Sequence, residues 1–393
     1  MKTLLSFALL LFLAGGSSPA QNFWQQVTSP TQGTIHTFLI DSADAIYAGT
    51  QFGVHKSTND GANWISLGLS TFNVYSIKSH DGFLFASTFE AGVYRSSNGG
   101  VTWVQTNSGL FSVSIGHLAI DQSGAIYAPT FDGLFKSTNN GNTWSITGLT
   151  ESNLRTVTVD GDDNVYAGGL EGAVHKSTDH GLTWNAALSP GSNIVSIFAS
   201  PTTGYIYVSN QYGPGGVFRS TDRGSSWQHS LPLLTTVYFA ENSAGHIFLS
   251  TWAYVYRSTD SGSSWEQRSS GLTSTIVNGI AVNSIDRAFV GTPSGAVFKS
   301  VQPTTSVGLN DGRFPLRFEL AQNYPNPFNP STTFSFSIPY SSFIIFKVYD
   351  MLGKEVRTLV NENKSAGTYG VTFDATGLPS GLYFYRLQAG GQA

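Results

Sequence analysis

The chain has 393 residues, of which 11% are charged, and its formal net charge is -4. This length fits two or three domains or one large repeat fold, and the sparse, balanced charge provides no basic patch for binding nucleic acid. Glycine is abundant, aromatic residues make up 13% and cysteine is absent, so we expect an all-β protein without disulfides, thiolate metal sites or lipidated cysteines.

The N-terminus has the features of a cleaved signal peptide. Lys2 precedes an apolar run from Leu4 to Ala14, and small residues lead up to Ala20. This run is too short to cross about 30 Å of hydrocarbon as a helix, and no later stretch approaches the roughly 18 apolar residues that a membrane span needs. We therefore expect residues 1–20 to be a signal peptide and the mature chain to lack a transmembrane span.

An eight-residue motif, seen first as Ser57 to Trp64, recurs through most of the chain in six copies. Successive copies are separated by about 40 residues, the period of one four-stranded propeller blade. Each unit also contains four short stretches in which apolar and polar residues alternate, with turn residues between them. We therefore expect each repeat to form one blade.

The motif falls between the third and fourth strands of each unit. Its third position holds a short side chain that can accept backbone N–H groups, and the glycine two positions later supplies a permissive backbone. The third-position residues are Asn59, Asn98, Asn139, Asp179, Asp222 and Asp260. The motif resembles the Asp-box repeats of sialidases, sortilin-type receptors, xyloglucanases and photosystem II assembly factors. The resemblance covers most of residues 22 to 301 and implies a β-propeller.

The two ends of the repeat region are expected to build one last blade together. A decayed seventh copy runs from Gly295 to Ser300 without its own tryptophan, whereas Trp24 lies one period before Trp64 and lacks three preceding strands. If the strand around Trp24 completes the last blade, no sheet edge stays exposed. The prediction is a seven-bladed propeller over residues 21–302.

A second β-rich module follows a polar segment, 303–318, whose glycines and prolines are typical of a linker. The module, 319–393, contains Leu320-Ala-Gln-Asn-Tyr-Pro-Asn-Pro-Phe-Asn-Pro, Tyr349-Asp-Met-Leu-Gly-Lys and Leu378-Pro-Ser-Gly-Leu-Tyr. These stretches resemble the type A sorting domain of type IX secretion substrates.

That resemblance implies an immunoglobulin-like β-sandwich and export through the periplasm to the cell surface or the medium, with the type IX secretion machinery as a partner. The family continues past the strand Leu382-Tyr-Phe-Tyr-Arg-Leu into a last strand rich in lysine and leucine. This sequence stops at Ala393, which leaves truncation of the module open.

The sequence shows no motif for catalysis, metal binding or a cofactor. Arg95, Arg219 and Arg257 occupy the third-strand position at which other repeats have lysine, so we expect a structural ring of cations, solvated or paired with turn carboxylates, and not a sialidase triad. The histidines lack metal-ligand spacing, and there is no nucleophile elbow or phosphate-binding loop. We expect neither a metal nor a cofactor.

The turns between the second and third strands predict a ligand-binding rim. They lie on the face opposite the Asp-box turns, because consecutive connections alternate between faces. The predicted ligand-binding residues are Phe52, Phe89, Phe131, Tyr212 and Trp252, and the neighbouring acids are Glu90, Asp132 and Glu171. In the competing interpretation, the apolar residues fill gaps between blades and the acids are solvated.

Three functions are consistent with these features. We favour a monomeric, secreted or cell-surface binding module that is not catalytic and takes a polysaccharide or a protein. The alternative is a glycoside hydrolase, sialidase-like or xyloglucanase-like, using two of Glu90, Asp132 and Glu171 held about 5 to 9.5 Å apart. Xyloglucanases place their cleft between two propellers, which a single propeller lacks. A photosystem-assembly role is disfavoured by the sorting module and by the lack of an arginine-rich face.

Overall fold

The computed structural model describes residues 3–4, 22–191, 193–211, 215–232, 236–252, 254–274, 276–305, 319–338, 342–364 and 367–389. These residues form strands and turns, with no helix among them. They divide into two compact units, Asn22–Thr305 and a second unit of Met1–Gln21 with Ser306–Ala393. Within the predicted signal peptide, the described residues are the two of β1 (Thr3–Leu4); residues 306–318 of the predicted linker lie outside them.

The unit Asn22–Thr305 contains seven four-stranded antiparallel sheets, six of which use four consecutive strands. The first comprises β3 (Ile35–Ile40), β4 (Ile46–Thr50), β5 (Gly53–Ser57) and β6 (Ile65–Ser66). The second comprises β7 (Val74–His80), β8 (Phe83–Thr88), β9 (Gly92–Ser96) and β10 (Val104–Gln105). The third comprises β11 (Ala119–Ile120), β12 (Ile126–Thr130), β13 (Gly133–Ser137) and β14 (Ser145–Ile146).

The next three sheets follow the same plan. The fourth comprises β15 (Leu154–Val159), β16 (Val165–Gly169), β17 (Val174–Ser177) and β18 (Asn185–Leu188). The fifth comprises β19 (Asn193–Ala199), β20 (Ile206–Gln211), β21 (Gly216–Ser220) and β22 (Gln228–Leu231). The sixth comprises β23 (Thr236–Glu241), β24 (Ile247–Thr251), β25 (Val255–Ser258) and β26 (Glu266–Gln267).

The seventh sheet joins the two ends of the unit. It comprises β27 (Ile280–Val282), β28 (Ala288–Gly291), β29 (Val297–Ser300) and β2 (Trp24–Val27). Trp24 lies opposite Ser300 in the antiparallel register, is almost fully buried, and donates its indole N–H to the carbonyl of Arg268 at 2.6 Å. The predicted pairing of the N-terminal strand is confirmed. β27 also contacts β3, which closes the ring of sheets.

Each turn formed by the eight-residue motif, which we name an Asp-box turn after the repeats that it resembles, is held by its own side chains. In the first copy, Ser57 Oγ accepts the N–H of Gly61 at 3.0 Å, and Asn59 Oδ1 accepts the N–H of Asn63 at 2.9 Å. The same pair of bonds recurs in the other five copies. Gly61 has a φ of 78°, a conformation that side chains disfavour. The expected role of the third position is therefore confirmed.

The third-strand cations connect neighbouring sheets. Four of them donate to a backbone carbonyl in the Asp-box turn of the next sheet: Arg95 to Asn140 at 2.6 Å, Lys136 to His180 at 3.0 Å, Lys176 to Arg223 at 2.7 Å and Arg219 to Ser261 at 2.8 Å. Lys299 lies 4.0 Å from the turn carboxylate of Asp60. The cations therefore form a structural ring, as expected. Most of them bind backbone carbonyl groups and not the expected solvent or carboxylates, because the turn of the next sheet brings a carbonyl within reach.

The second unit contains two sheets that share one core. A three-stranded sheet comprises β30 (Glu319–Leu320), β31 (Ser331–Ile338) and β34 (Gly367–Asp374), and a four-stranded sheet has the order β1, β35 (Leu382–Ala389), β32 (Ser342–Tyr349) and β33 (Glu355–Lys364). Phe334 of β31 packs its ring 4.9 Å from that of Phe346 and 4.6 Å from that of Tyr385, between centroids. All three are buried, so this unit is a small β-sandwich.

Candidate functional site

The innermost strands begin with a β-bulge in five of the sheets. The register shifts between Ile35 and Thr37, Val74 and Ser76, Leu154 and Thr156, Ile194 and Ser196, and Thr236 and Tyr238. In four of these bulges the extra residue, which has no partner in the neighbouring strand, is His36, Tyr75, Arg155 or Val195. A bulge redirects the side chain of its extra residue, and bulges are frequent beside functional sites. They place these four positions at the end of the ring that carries the turns between second and third strands.

A cavity of about 300 Å³ opens at this end, and we call it the channel-mouth cavity. Its aromatic lining residues are Tyr75, Phe89, Phe131 and Tyr238, and its polar side chains are Ser114, His117 and Arg155. Two of the aromatic residues come from turns between second and third strands, and the others come from innermost strands. The cavity therefore combines variable turn residues with bulge residues.

The aromatic rings form a continuous row across three sheets. The rings of Phe89 and Phe131 meet edge to face with their centroids 6.4 Å apart, and Phe89 lies 5.8 Å from Tyr75. Tyr75 stacks on His36 at 4.4 Å. Phe89 is 41% exposed and Phe131 is 37% exposed, so both rings have surface available to a ligand.

A second cavity of about 190 Å³ lies deeper, along the innermost strands, and we call it the channel cavity. It shares His117 and Tyr238 with the channel-mouth cavity. Its polar lining residues include Ser76, Thr156, Ser196 and Lys78. The channel cavity is an internal space. The side chain of Lys78 therefore has accessible surface in it although protein atoms surround the residue. This burial lowers the pKa of the Lys78 ammonium.

Burial also determines the charge of the groups shared by the two cavities. It lowers the pKa of His117 to about 4, with a further contribution from the charge of Lys78, so the imidazole is neutral at pH 7. His117 Nε2 lies 3.3 Å from the hydroxyl of Tyr238, whose pKa is raised by burial. The basic side chains that line the two cavities are therefore Arg155 at the mouth and Lys78 in the channel cavity.

No acidic side chain is among the described residues that line either cavity. Within the same part of the chain, neither Lys78 nor Arg155 takes part in an ion pair. Both basic side chains therefore line space that a ligand can occupy, and an anionic ligand would meet no acidic side chain among the described lining residues.

The structure brings two of the predicted ligand-binding residues together. Phe89 and Phe131 line the channel-mouth cavity. Phe52 and Trp252 are 44% and 49% exposed, but neither lines it. Tyr212 lies outside the described residues. The rim predicted from the turns is thus divided, with one part at the cavity and other members exposed elsewhere.

The alternative catalytic acids lie outside the channel-mouth cavity. Glu90, Asp132 and Glu171 are exposed turn residues, and none of them lines it. Glu171 accepts a hydrogen bond from Asn153 at 3.4 Å. A glycosidase needs two carboxyl groups flanking the scissile bond, and this cavity presents a guanidinium group and an imidazole instead.

The described residues lack two further kinds of feature. They contain no group of three potential metal ligands of the histidine, cysteine, aspartate or glutamate type. They also contain no helix with the length and apolar character to cross a membrane.

The turn pattern did not identify Tyr75, His117, Arg155 and Tyr238. A sequence signal for two of them was present at the start of the innermost strands. In both strands an apolar residue comes before the bulge position and a hydroxyl residue follows it: Val74 and Ser76 in one, Leu154 and Thr156 in the other. The bulge position itself is tyrosine in the first strand and arginine in the second. A position that varies between conserved neighbours within one chain can mark the bulge. His117 and Tyr238 follow such positions and have no comparable signal.

Comparison with known proteins supports both units. Residues 322–393 match the family described as "Secretion system C-terminal sorting domain". No curated protein matches the sequence.

Solved structures share the propeller fold at low sequence identity. The extracellular domain of the hybrid two-component system BT4673 from B. thetaiotaomicron is 13% identical, with a TM-score of 0.61 over 81% of this chain and 46% of that one. This chain therefore spans about half of that protein's length. YCF48 bound to D1 peptide is 15% identical, with a TM-score of 0.59 over 73% of this chain and 98% of that one.

The GH74 enzyme of Niastella koreensis is 18% identical, with a TM-score of 0.60 over 80% of this chain and 59% of that one. At these identities the likeness shows the fold alone. The sorting domain marks the chain for export to the cell surface or for secretion. The chain is a β-propeller protein that carries a type IX secretion C-terminal sorting domain.

Proposed function

We propose that the propeller is a non-catalytic binding module that acts outside the cell and holds its ligand at the channel-mouth cavity. The observation that carries this proposal is the row of partly exposed rings beside Arg155, around a cavity of about 300 Å³. Ligand sites are concave, mostly apolar and provided with a few polar groups that orient the ligand, and this cavity has all three features.

The sorting domain supports the extracellular location. In this proposal a signal peptide at residues 1–20 takes the chain across the inner membrane, and the sorting domain then directs it across the outer membrane from the periplasm. The propeller acts as a monomer, because its own N-terminal strand completes the seventh sheet, and every sheet that the described residues of this unit form has four strands.

The ligand class in this proposal is a polysaccharide or a protein segment. The structural neighbours include the GH74 xyloglucanase of Xanthomonas campestris, and YCF48 was solved bound to a D1 peptide. Binding without hydrolysis is favoured because the residues that line the cavity supply no carboxylate pair, which most glycosidases require.

A pair of phenylalanine variants tests where the ligand binds. Phe131→Ala removes a ring from the channel-mouth cavity, whereas Phe52→Ala removes a ring of similar exposure from the equivalent turn of another sheet. The full mature chain and both variants are compared for binding to a panel of soluble polysaccharides by affinity electrophoresis. We expect Phe131→Ala to weaken binding at least fivefold, about 1 kcal/mol, and Phe52→Ala to have little effect.

The outcomes separate three interpretations. Equal losses in both variants would extend the site to the whole predicted rim. Unchanged binding by a folded Phe131→Ala protein would refute the cavity as the ligand site. Release of reducing sugar from any polysaccharide that binds would contradict the non-catalytic assignment.

A further inference from the structure

We propose that the ligand of the channel-mouth cavity is an acidic polysaccharide, whose anionic group is held by Arg155 at the mouth and can reach Lys78 in the channel cavity. This inference rests on the proposed function, because it assigns a ligand class to the same cavity. The shared chemistry is a negative charge on a sugar ring, supplied by a uronate carboxylate or by a sulfate ester.

The charges of the two cavities are the first support. Arg155 and Lys78 are basic side chains without an ion-pair partner among the described residues, and no acid there lines either cavity. A charge that is surrounded by protein without a partner is unfavourable, and the lowered pKa of Lys78 reflects this. A bound anion removes the penalty, so the site selects negative ligands.

The guanidinium group of Arg155 adds geometric selectivity. Arginine presents a planar fork that pairs in a bidentate manner with carboxylate and with tetrahedral oxyanions. Arg155 is the bulge residue of its innermost strand, so its side chain is redirected out of the ladder and lines the mouth. The strand on which it lies is part of a closed ring, which gives the guanidinium group a rigid base.

The aromatic and hydroxyl groups favour a sugar over other anions. Phe89 and Phe131 meet at nearly a right angle and offer apolar surface to the C–H face of a pyranose ring. Ser114, which also lines the channel-mouth cavity, is partly exposed and adds a hydroxyl group there. Hydroxyl groups both donate and accept hydrogen bonds, which suits the hydroxyl groups of a sugar.

The backbone at the mouth is already engaged, which disfavours a peptide. The N–H of Gly116 donates to the carbonyl of Pro129 at 3.0 Å, and the N–H of His117 donates to the carbonyl of Arg155 at 2.9 Å. An extended peptide is usually recognised through free main-chain groups of a sheet edge. This part of the mouth offers side chains instead.

Glu90 is the acid that follows Phe89 in its turn, and it is exposed outside the cavity. Its charge is screened by solvent, so it weakens the attraction for an anion without abolishing it. This residue provides a charge control, since Glu90→Gln and Arg155→Gln change the net charge in opposite directions at the same end of the propeller.

The test uses two polymers that differ in charge alone. Polygalacturonate and its carboxyl-reduced form share linkage and length, and a sulfated galactan provides the second source of anionic groups. Binding to the full mature chain is measured by biolayer interferometry at low and at physiological salt. We expect binding to at least one acidic polymer to be tenfold or more tighter than to the neutral one, and to weaken as salt increases.

Single substitutions then show which side chains bind the anionic groups of the polymer. Arg155→Gln and Lys78→Met should each weaken binding of the acidic polymer at least fivefold, and Glu90→Gln should leave it unchanged or strengthen it. Melting curves show whether each variant is folded, and Arg155→Lys should restore part of the affinity because it restores the charge but not the fork.

The results distinguish this inference from the proposed function. Equal binding of the charged and neutral polymers would overturn the inference and leave the binding module intact. Binding to neither acidic polymer would also overturn it, as would capture of a peptide ligand that Phe131→Ala abolishes. Loss of binding to the neutral polymer in Arg155→Gln would show that this arginine acts structurally.

Discussion

The two faces of the propeller treat equivalent positions differently. On the Asp-box face, six turns repeat the same two hydrogen bonds, and four cations link one sheet to the next turn. On the opposite face, the bulge position of four innermost strands holds histidine, tyrosine, arginine or valine. The repeated face acts as scaffold, because each copy satisfies the same backbone groups. The varied face is free to differ from sheet to sheet, which is what a ligand site requires.

Both faces depend on the closure of the ring of sheets. A substitution that disrupts this closure should therefore give the largest loss of stability. Trp24 is 1% exposed and reaches the carbonyl of Arg268 in the preceding sheet. Trp24→Ala should destabilise the propeller by about 3–5 kcal/mol, as expected for a buried tryptophan. Chemical unfolding of the full mature chain measures this loss.

Trp184 provides the matched control. Its indole N–H donates at 3.1 Å to Gly181 within its own turn, and its side chain is only half-buried. Trp184→Ala should therefore cost clearly less than Trp24→Ala. Equal losses in the two variants would mean that closure by the N-terminal strand has no special weight.

The varied face should also make stability depend on pH through His117. Burial lowers the pKa of His117 in the folded protein to about 4, whereas the ordinary value is 6.5. Between these values the unfolded chain binds a proton that the folded protein does not, so stability falls as pH decreases from about 6.5 to about 4. The contribution of this group, once the pH is below both values, is about 3 kcal/mol.

The variant His117→Gln isolates that contribution. Glutamine stays neutral, so the free energy of unfolding should fall less between pH 7 and pH 4.5 in the variant than in the wild-type protein. His36 and His55, whose pKa values burial also lowers, are present in both proteins and cancel in the comparison. The same pH slope in both proteins would show that His117 is not the group responsible.

The repeated face could be predicted from the sequence because its interactions are local. The serine, the third-position side chain and the glycine of each box lie within four residues of one another, so their spacing encodes their hydrogen bonds. The pairing of Trp24 with the last sheet could be predicted from the period, since an unpaired strand and an incomplete sheet must meet in a closed ring.

The varied face could be predicted only in part. The sequence locates its turns, but the aromatic row depends on two contacts between sheets that no spacing encodes, His36 with Tyr75 and Phe89 with Phe131. A bulge changes which side chain faces the channel without changing the apolar alternation around it, so Arg155 looked like an ordinary strand residue. Phe131 directly follows Thr130 and is the first residue of its turn, whereas Phe52 is the second residue after Thr50. The two rings therefore start from different positions of corresponding turns, and the first-position ring is the one that lines the cavity.

The smallest expected effect makes the sharpest comparison between the faces. Ser177 Oγ accepts the N–H of Gly181 at 2.8 Å and donates to Asp179 at 2.7 Å, and the serine is almost fully buried in its Asp-box turn. Ser177→Ala leaves the N–H of Gly181 unsatisfied and should cost about 1–2 kcal/mol, a few degrees in melting temperature for a unit of this size. Thr178→Ala, at the exposed neighbouring position, should change stability by less than about 0.5 kcal/mol.

Because the turn lies on the face opposite the channel-mouth cavity, Ser177→Ala should bind ligand as the wild-type protein does, whereas Phe131→Ala should keep its stability and lose affinity. If Ser177→Ala weakened binding as much as Phe131→Ala, the division of the propeller into a scaffold face and a ligand face would be wrong.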